Sequence, residues 1–448
     1  MSRGVSHLNK SIKNENLEKY NQDLHATKAH EVLADAVQNN GINKAAESVD
    51  VKAKLNPTFS IELKTGAVSA QKHSGRCWLF SALTNLRTDF AKKYNVKDFE
   101  LSQNYLSFYD RLEKANWFYQ QIINTAELPL TDRKVATLLQ FPDDDGGQYP
   151  FAVSLIKKYG VVPKYAMPET YNSDNTTEFT DVLTNKLHKD AIELRALASK
   201  NPENPEIAKF VKKSLSEVYR ICVYAFGQPP VKFDLQLRDD DKKLISEPGL
   251  TPQEFLKKYF DYNFDDYFDA LNAPQASKDF GKSYQLQGDG NMVGGETEKF
   301  FNLPISRLKQ MAIQQLKDGE TVWFGNDVLQ QMNRQKGLLD SKLYDYDQLF
   351  DVDFDLDKGK RLDYRQGEVS HAMVLTGVDL DKDGKPTKWK VENSWGDKIG
   401  TKGYFVMSDQ WFTDYVYEVV VKKEYLTETE KKQYAKDPII LPGWDAIA

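Results

Sequence analysis

The stretch Gln71-Lys72-His73-Ser74-Gly75-Arg76-Cys77-Trp78-Leu79-Phe80 restricts what this chain can fold into more than any other. Ser74-Gly75 is turn chemistry, and Trp78-Leu79-Phe80-Ser81-Ala82-Leu83-Thr84-Asn85-Leu86 is an apolar run with helical spacing. The pattern predicts a helix that opens at Cys77 and runs to about Tyr94. A helix N-terminus presents unpaired N–H groups and a partial positive charge, which favours thiolate over thiol. Gln71, six positions upstream, can donate an amide N–H toward the same point. Thiolate, helix-end N–H and amide donor are the parts that acyl transfer needs. Alone, the segment also fits a small buried cysteine at a helix start, so the partners decide.

The partners lie near the other end. Val369-Ser370-His371-Ala372-Met373-Val374-Leu375-Thr376-Gly377-Val378 reads as a strand with His371 near its start, and Asn393 follows in Val391-Glu392-Asn393-Ser394-Trp395-Gly396. A lone histidine on an apolar strand is usually structural. Gln-x5-Cys-Trp, His-Ala and Asn-Ser-Trp-Gly in this order resemble the papain-like cysteine peptidases. Ser-Gly-Arg-Cys-Trp-Leu-Phe resembles their bleomycin hydrolase/aminopeptidase C branch, since papain and the cathepsins carry Ser or Ala where this chain has Arg76. The resemblance spans nearly the whole chain, with its specific motifs in residues 71–81 and 369–396.

That resemblance implies Cys77 as nucleophile, His371 as acid and base, Asn393 as the residue orienting the imidazole, and Gln71 as an oxyanion donor. It implies that Trp395 shields the His371–Asn393 bond, and that Gly146 and Gly147, in Asp145-Gly146-Gly147-Gln148-Tyr149, line the cleft. It also implies a C-terminal arm whose terminal carboxylate, on Ala448, holds the free α-amino group of the peptide, making the enzyme an aminopeptidase. After Trp444-Asp445 only Ala446-Ile447-Ala448 follow, a short arm that leaves an endopeptidase of the same branch as the alternative. A non-enzymatic nucleic-acid binder is a further alternative. The family assembles as a homo-hexamer, takes peptide substrates and needs no cofactor or metal.

Composition narrows the choices. The 448 residues carry a net charge of −6, which argues against a nucleic-acid partner held by bulk electrostatics. Two cysteines, Cys77 and Cys222, give no disulfide framework, and the apolar setting of Cys222 reads as a buried inert thiol. No apolar run approaches a membrane span and the N-terminus lacks a signal core, so the expected location is cytoplasmic.

The expected fold class is α+β: a papain-like helical lobe facing an antiparallel, barrel-like β lobe. Residues 1–60 read as an N-terminal helical arm, 61–170 as the helical lobe with the nucleophile, and 171–300 as a helical insertion. Residues 301–422 read as the β lobe carrying His371 and Asn393, and 423–448 as the C-terminal arm. Cys77 and His371 stand 294 positions apart, against about 130–150 in papain-like enzymes; an insertion accounts for the difference. His7, His25, His30 and His188 sit in charged helical surroundings and are expected to face solvent, while His73 has no base role by spacing. Asp379-Leu380-Asp381-Lys382-Asp383-Gly384 mimics a calcium loop, but its twelfth position is Lys390, so a hairpin turn is expected. Gly288 to Gly294 is glycine-rich without a convincing preceding strand, which disfavours a nucleotide site.

Overall fold

The Cys77–Tyr94 helix forms where the apolar spacing places it, and Leu79, Leu83, Leu86 and Phe90 are buried along it. Each such side chain contributes about 1.5–3 kcal/mol when withdrawn from water. The computed structural model describes residues 11–447, and the statements below refer to these. They divide into two units, residues up to Lys54 with Lys342–Asp355, and Leu55–Ser341 with Leu356 onward.

The smaller unit is helical: Asn14–His25, Lys28–Asn40, Ile42–Ala46 and Val49–Lys54, with Tyr346–Phe350 from the later segment. Backbone bonds Ser48 N–H to Leu343 O (2.9 Å) and Asp345 N–H to Ala46 O (2.9 Å) join its two pieces.

In the larger unit a helical core surrounds the Cys77 helix. The Gln103–Asn124 helix is capped by Ser102, whose hydroxyl accepts the Tyr105 N–H, and Tyr149–Tyr159 begins with Pro150 in its first turn. Beside this core lies a sheet of twelve strands among the described residues. Its centre is antiparallel: Tyr267–Leu271, Val416–Lys422, Val322–Asn326, His371–Leu380, Pro386–Glu392 and Tyr404–Ser408 run side by side in that order. Helix Ile305–Lys317 packs its Leu308, Met311 and Leu316 into the apolar core of the sheet. The register sets Ala372 opposite Gly325, and Gly325 opposite Glu418, across three strands.

The class is therefore α+β as expected, with a sheet that is mixed rather than purely antiparallel. Three pairs outside that run are parallel: Leu338–Leu339 on Tyr404–Ser408, Phe300–Asn302 on Tyr267–Leu271, and Ile439–Leu441 on Lys282–Leu286. The stretch 171–300, read as helical, is so only in part. Thr177–Ala198 and Pro205–Phe226 are helices, but Phe233–Arg238 and Leu244–Leu250 form a hairpin. Tyr267–Leu271, Lys282–Leu286 and Phe300–Asn302 enter the sheet. Tyr267–Leu271 is buried at every position, so it shows no alternation, and Asp269 interrupts its apolar run.

The glycine-rich stretch from Gly288 does follow a strand, Lys282–Leu286, yet no helix opens after it. The Asp381 carboxylate accepts the N–H groups of Asp383 and Lys385 (2.9 Å each), and Gly384 adopts φ +76°, which makes that segment the hairpin turn between His371–Leu380 and Pro386–Glu392. His188 is half-buried and meets the Leu139 carbonyl at 2.7 Å rather than facing solvent freely. His7 lies outside the described residues. No described helix is long and apolar enough to cross a membrane.

Candidate active site

Cys77 is the first residue of its helix, and a tight loop fixes it there. The Gly75 N–H donates to the Asp145 carboxylate (2.8 Å), and a Cβ on Gly75 would stand 2.7 Å from that of Asp145. Trp78 Nε1 donates to the Asp145 carbonyl (2.8 Å). Arg76, buried, pairs with Glu169 (2.9 Å) and donates to the Ser173 carbonyl (2.5 Å). Arg111 in turn holds both Asp143 (2.7 Å) and Asp145. Gly147 lies against the Trp78 ring so closely that a Cβ would come within 2.6 Å of it.

Gln71 is oriented through both ends of its amide. Its Nε2 donates to the Ser74 carbonyl (2.5 Å), and its Oε1 accepts the Ser394 hydroxyl (2.5 Å). Its backbone N–H donates to the Ser394 carbonyl (2.7 Å), tying the loop to the segment after Pro386–Glu392.

His371 opens its strand, and its Nε2 lies 2.9 Å from Asn393 Oδ1. That same oxygen accepts the Ser394 N–H (2.8 Å), so oxygen rather than nitrogen faces the ring and Nε2 carries a proton. Nδ1 is then free to accept. Asn393 lies just past the end of its strand, at Glu392. The Trp395 ring covers His371 at 5.0 Å between centroids, and Arg334 stacks on it at 4.6 Å. Glu392, next to Asn393, pairs with Arg87 of the Cys77 helix; both are buried, and Arg87 also donates to the Ala67 carbonyl (2.8 Å).

A cavity of about 370 Å³ gathers Gln71, Cys77, Gly146, Gly147, His371, Trp323 and Ile447 in its walls. Trp395 is not among the lining residues; it acts on the cavity only by covering His371. His73 is exposed and its backbone bridges Asn175, away from any base position. The arm reaches the cavity through Ile447, which is 1% exposed. Lys278 holds Asp445 (2.9 Å) and Arg365 donates to the Trp444 carbonyl (2.5 Å) on the way. Ala448 lies outside the described residues.

The sequence pattern of the Peptidase C1-like family matches residues 11–448. The chain belongs to the Peptidase C1-like family. It is similar to Aminopeptidase E of Lactobacillus helveticus (51% identical, covering 96% of this chain and 98% of that one). It is also similar to Aminopeptidase C of Lactobacillus delbrueckii subsp. lactis (45% identical, 98% of each chain). The crystal structure of PepW from Lactobacillus rhamnosis HN001 superposes with a TM-score of 0.96 at 50% identity, covering 98% of this chain and 99% of that one.

In this C1-like peptidase burial dominates the electrostatics of the pair. Desolvation pushes the Cys77 thiol up, against the backbone N–H groups of Ala372, Trp78 and Cys77, which lower it. It pushes the His371 imidazole down to about 4, while the bond to Asn393 acts the other way. The helix end favours thiolate as its position suggests, and burial acts against it. The Ala372 N–H, on the residue that follows His371, is near enough to the sulfur to favour its ionised form.

The cavity contains two residues that the motifs do not announce. Trp323 donates Nε1 to the Trp78 carbonyl (3.1 Å) and forms one wall. Glu418 forms another. Both lie in apolar runs where the sequence signals only burial.

Proposed function

We propose that this chain is a cysteine aminopeptidase that releases N-terminal residues from peptides through a thioester acyl-enzyme. The observation that carries the reading is that Cys77 and His371 line one cavity whose wall includes the penultimate residue of the chain, Ile447. In this reading the arm takes the non-leaving side of the cleft, and a substrate places little beyond one residue on the acyl side. The names of the similar aminopeptidases agree with it.

Burial opposes a lone thiolate and a lone imidazolium, and a proton passing from Cys77 to Nδ1 of His371 makes both charges together without net charge in the cavity. The thiolate attacks the carbonyl carbon of the first peptide bond. The Gln71 amide and the Cys77 N–H receive the oxyanion, a donor of this kind being worth about 3 kcal/mol of barrier. His371 gives its proton to the leaving amine as the C–N bond breaks, then takes one from the water that hydrolyses the thioester. Asn393 keeps the imidazole turned toward sulfur throughout, and Gly146 and Gly147 leave room for substrate backbone.

The resemblance extends the proposal to a homo-hexamer acting in the cytoplasm, with the Ala448 carboxylate near the substrate amino group; sedimentation of the purified protein tests the assembly. The activity is tested by comparing a peptide with a free amino terminus and its N-acetylated form. Release of the first residue from the free peptide alone is expected. Internal cleavage of the acetylated peptide would overturn the aminopeptidase reading.

A further inference from the structure

Glu418 has no role in the steps above, yet it is 1% exposed and forms part of the cavity wall. Among the described residues no hydrogen bond or ion pair reaches its carboxyl group. It does not stand alone. Asp269 has both carboxylate oxygens buried without a partner, and Glu298 and Asp289 each have one. Among the described residues no lysine or arginine forms an ion pair with any of the four. Buried acids without a cation are costly to a fold unless they stay protonated or an outside cation meets them. Burial pushes their acids up, Glu418 to about 8 with Asp289 adding repulsion, and Asp289 to about 7 against the Gly290 N–H and Lys114, which lower it.

The position of Glu418 says which cation suits it. Ala372, Gly325 and Glu418 are in register on three adjacent strands, about 4.8 Å apart from one strand to the next. Glu418 Oε2 lies only 2.8 Å from where a Cβ on Gly325 would be. The carboxyl group therefore leans over the bare Gly325 toward Ala372, whose N–H faces the sulfur of Cys77. An α-ammonium nitrogen is separated from the carbonyl carbon under attack by a single carbon, so a group placed one strand from Ala372 is within its reach. The described residues hold no cluster of three or more ligating side chains suited to a metal ion.

We propose that Glu418 is a substrate-binding residue that receives the free α-ammonium group of the peptide, in the space left by Gly325. The inference rests on the aminopeptidase reading and adds a second anionic partner within the chain body. In the absence of substrate the carboxyl group keeps its proton. The arriving ammonium displaces that proton to solvent, and an ion pair replaces a neutral acid.

The test uses the full-length enzyme and E418Q, whose neutral side chain is isosteric with the protonated acid. The substrates are leucine p-nitroanilide, its des-amino analogue 4-methylpentanoyl p-nitroanilide, and the lysine and norleucine p-nitroanilides. In the parent the leucine compound is strongly preferred over the des-amino one. In E418Q, kcat/KM for the leucine compound should fall by about 30-fold or more, mainly through KM, as expected for removing one partner of a buried charge pair. The des-amino compound should change by less than about threefold. An equal fall for both, or no fall for either, overturns the assignment. So does loss of preference for lysine over norleucine with the amine preference intact, which would make the cation a side chain. If the parent itself cleaves both leucine compounds equally, the aminopeptidase reading has failed independently of Glu418. A second readout needs no variant: binding of leucinamide to the parent at pH 7 should release close to one proton, measured calorimetrically in buffers of different ionisation enthalpy, and no release overturns the proposal.

Discussion

Gln71 offers a prediction that can be followed from hydrogen bonds to rate. Its amide oxygen accepts the Ser394 hydroxyl at 2.5 Å, and one N–H is used on the Ser74 carbonyl, leaving the other for the cavity. Gln71→Ala removes the donor itself and should lower kcat by about 10²–10³, or about 2.7–4 kcal/mol. Ser394→Ala leaves the donor but strips its orienting bond, and an unpaired buried acceptor costs about 1–3 kcal/mol. The amide recovers part of that by turning toward other partners. The expected loss is thus near the lower end, about tenfold in kcat, with KM nearly unchanged. The two losses should not add: in the Gln71→Ala background, Ser394→Ala should change kcat by less than about twofold, because nothing remains to be oriented. The assay is a double-mutant cycle in pre-steady-state acylation with an activated ester or anilide substrate. If Ser394→Ala costs the same factor with and without Gln71, or costs nothing in the parent, the orienting role of Ser394 is wrong.

Cys77→Ala should abolish turnover while the melting temperature stays within a few degrees of the parent; peptidase activity in that variant refutes the nucleophile. Arg87→Met strands the buried Glu392 carboxylate and should destabilise the chain by about 3–5 kcal/mol, most of it recovered in Arg87→Met/Glu392→Leu. Urea unfolding measures this, and a single variant within about 1 kcal/mol of the parent would show the pair to be unimportant. The His371 imidazole is held at about 4 in the fold against an ordinary value of 6.5. The unfolded chain therefore binds the extra proton, and stability falls as pH drops from about 6.5 to about 4, by up to about 3 kcal/mol. His371→Gln should flatten that part of the stability–pH curve, and an unchanged slope argues against a buried neutral imidazole. Glu418 works in the opposite sense, since its acid is held up to about 8. E418Q should gain stability over the parent as pH rises from about 5 to 8, read as a widening gap in melting temperature.

The family and the α+β class are legible from short motifs because those motifs are dense in residues with narrow chemical uses. Gln71, Cys77 and Trp78 on one side, and Asn393, Ser394 and Trp395 on the other, leave few alternatives. The helices at Thr177–Ala198 and Pro205–Phe226 are also legible, since each keeps one apolar face over six turns. What periodicity does not carry is burial on both faces. Tyr267–Leu271 and Phe300–Asn302 are buried throughout, and an apolar run without alternation has no face to reveal. Glu418 is hidden for the same reason, as one polar letter within Val416–Lys422. The helix terminus that favours the Cys77 thiolate is visible in sequence, whereas the burial that pushes the thiol up comes from strands hundreds of residues away.

The seating of Ile447 has a practical side. Any change to the arm near Ile447 alters a side chain that is already part of the cavity wall. A histidine tag or fusion partner joined close to Ile447 would crowd the cavity that Cys77 and His371 also line. Recombinant versions meant for kinetics therefore belong with their tags at the amino terminus, and a carboxy-terminal tag becomes a deliberate tool for loosening the arm.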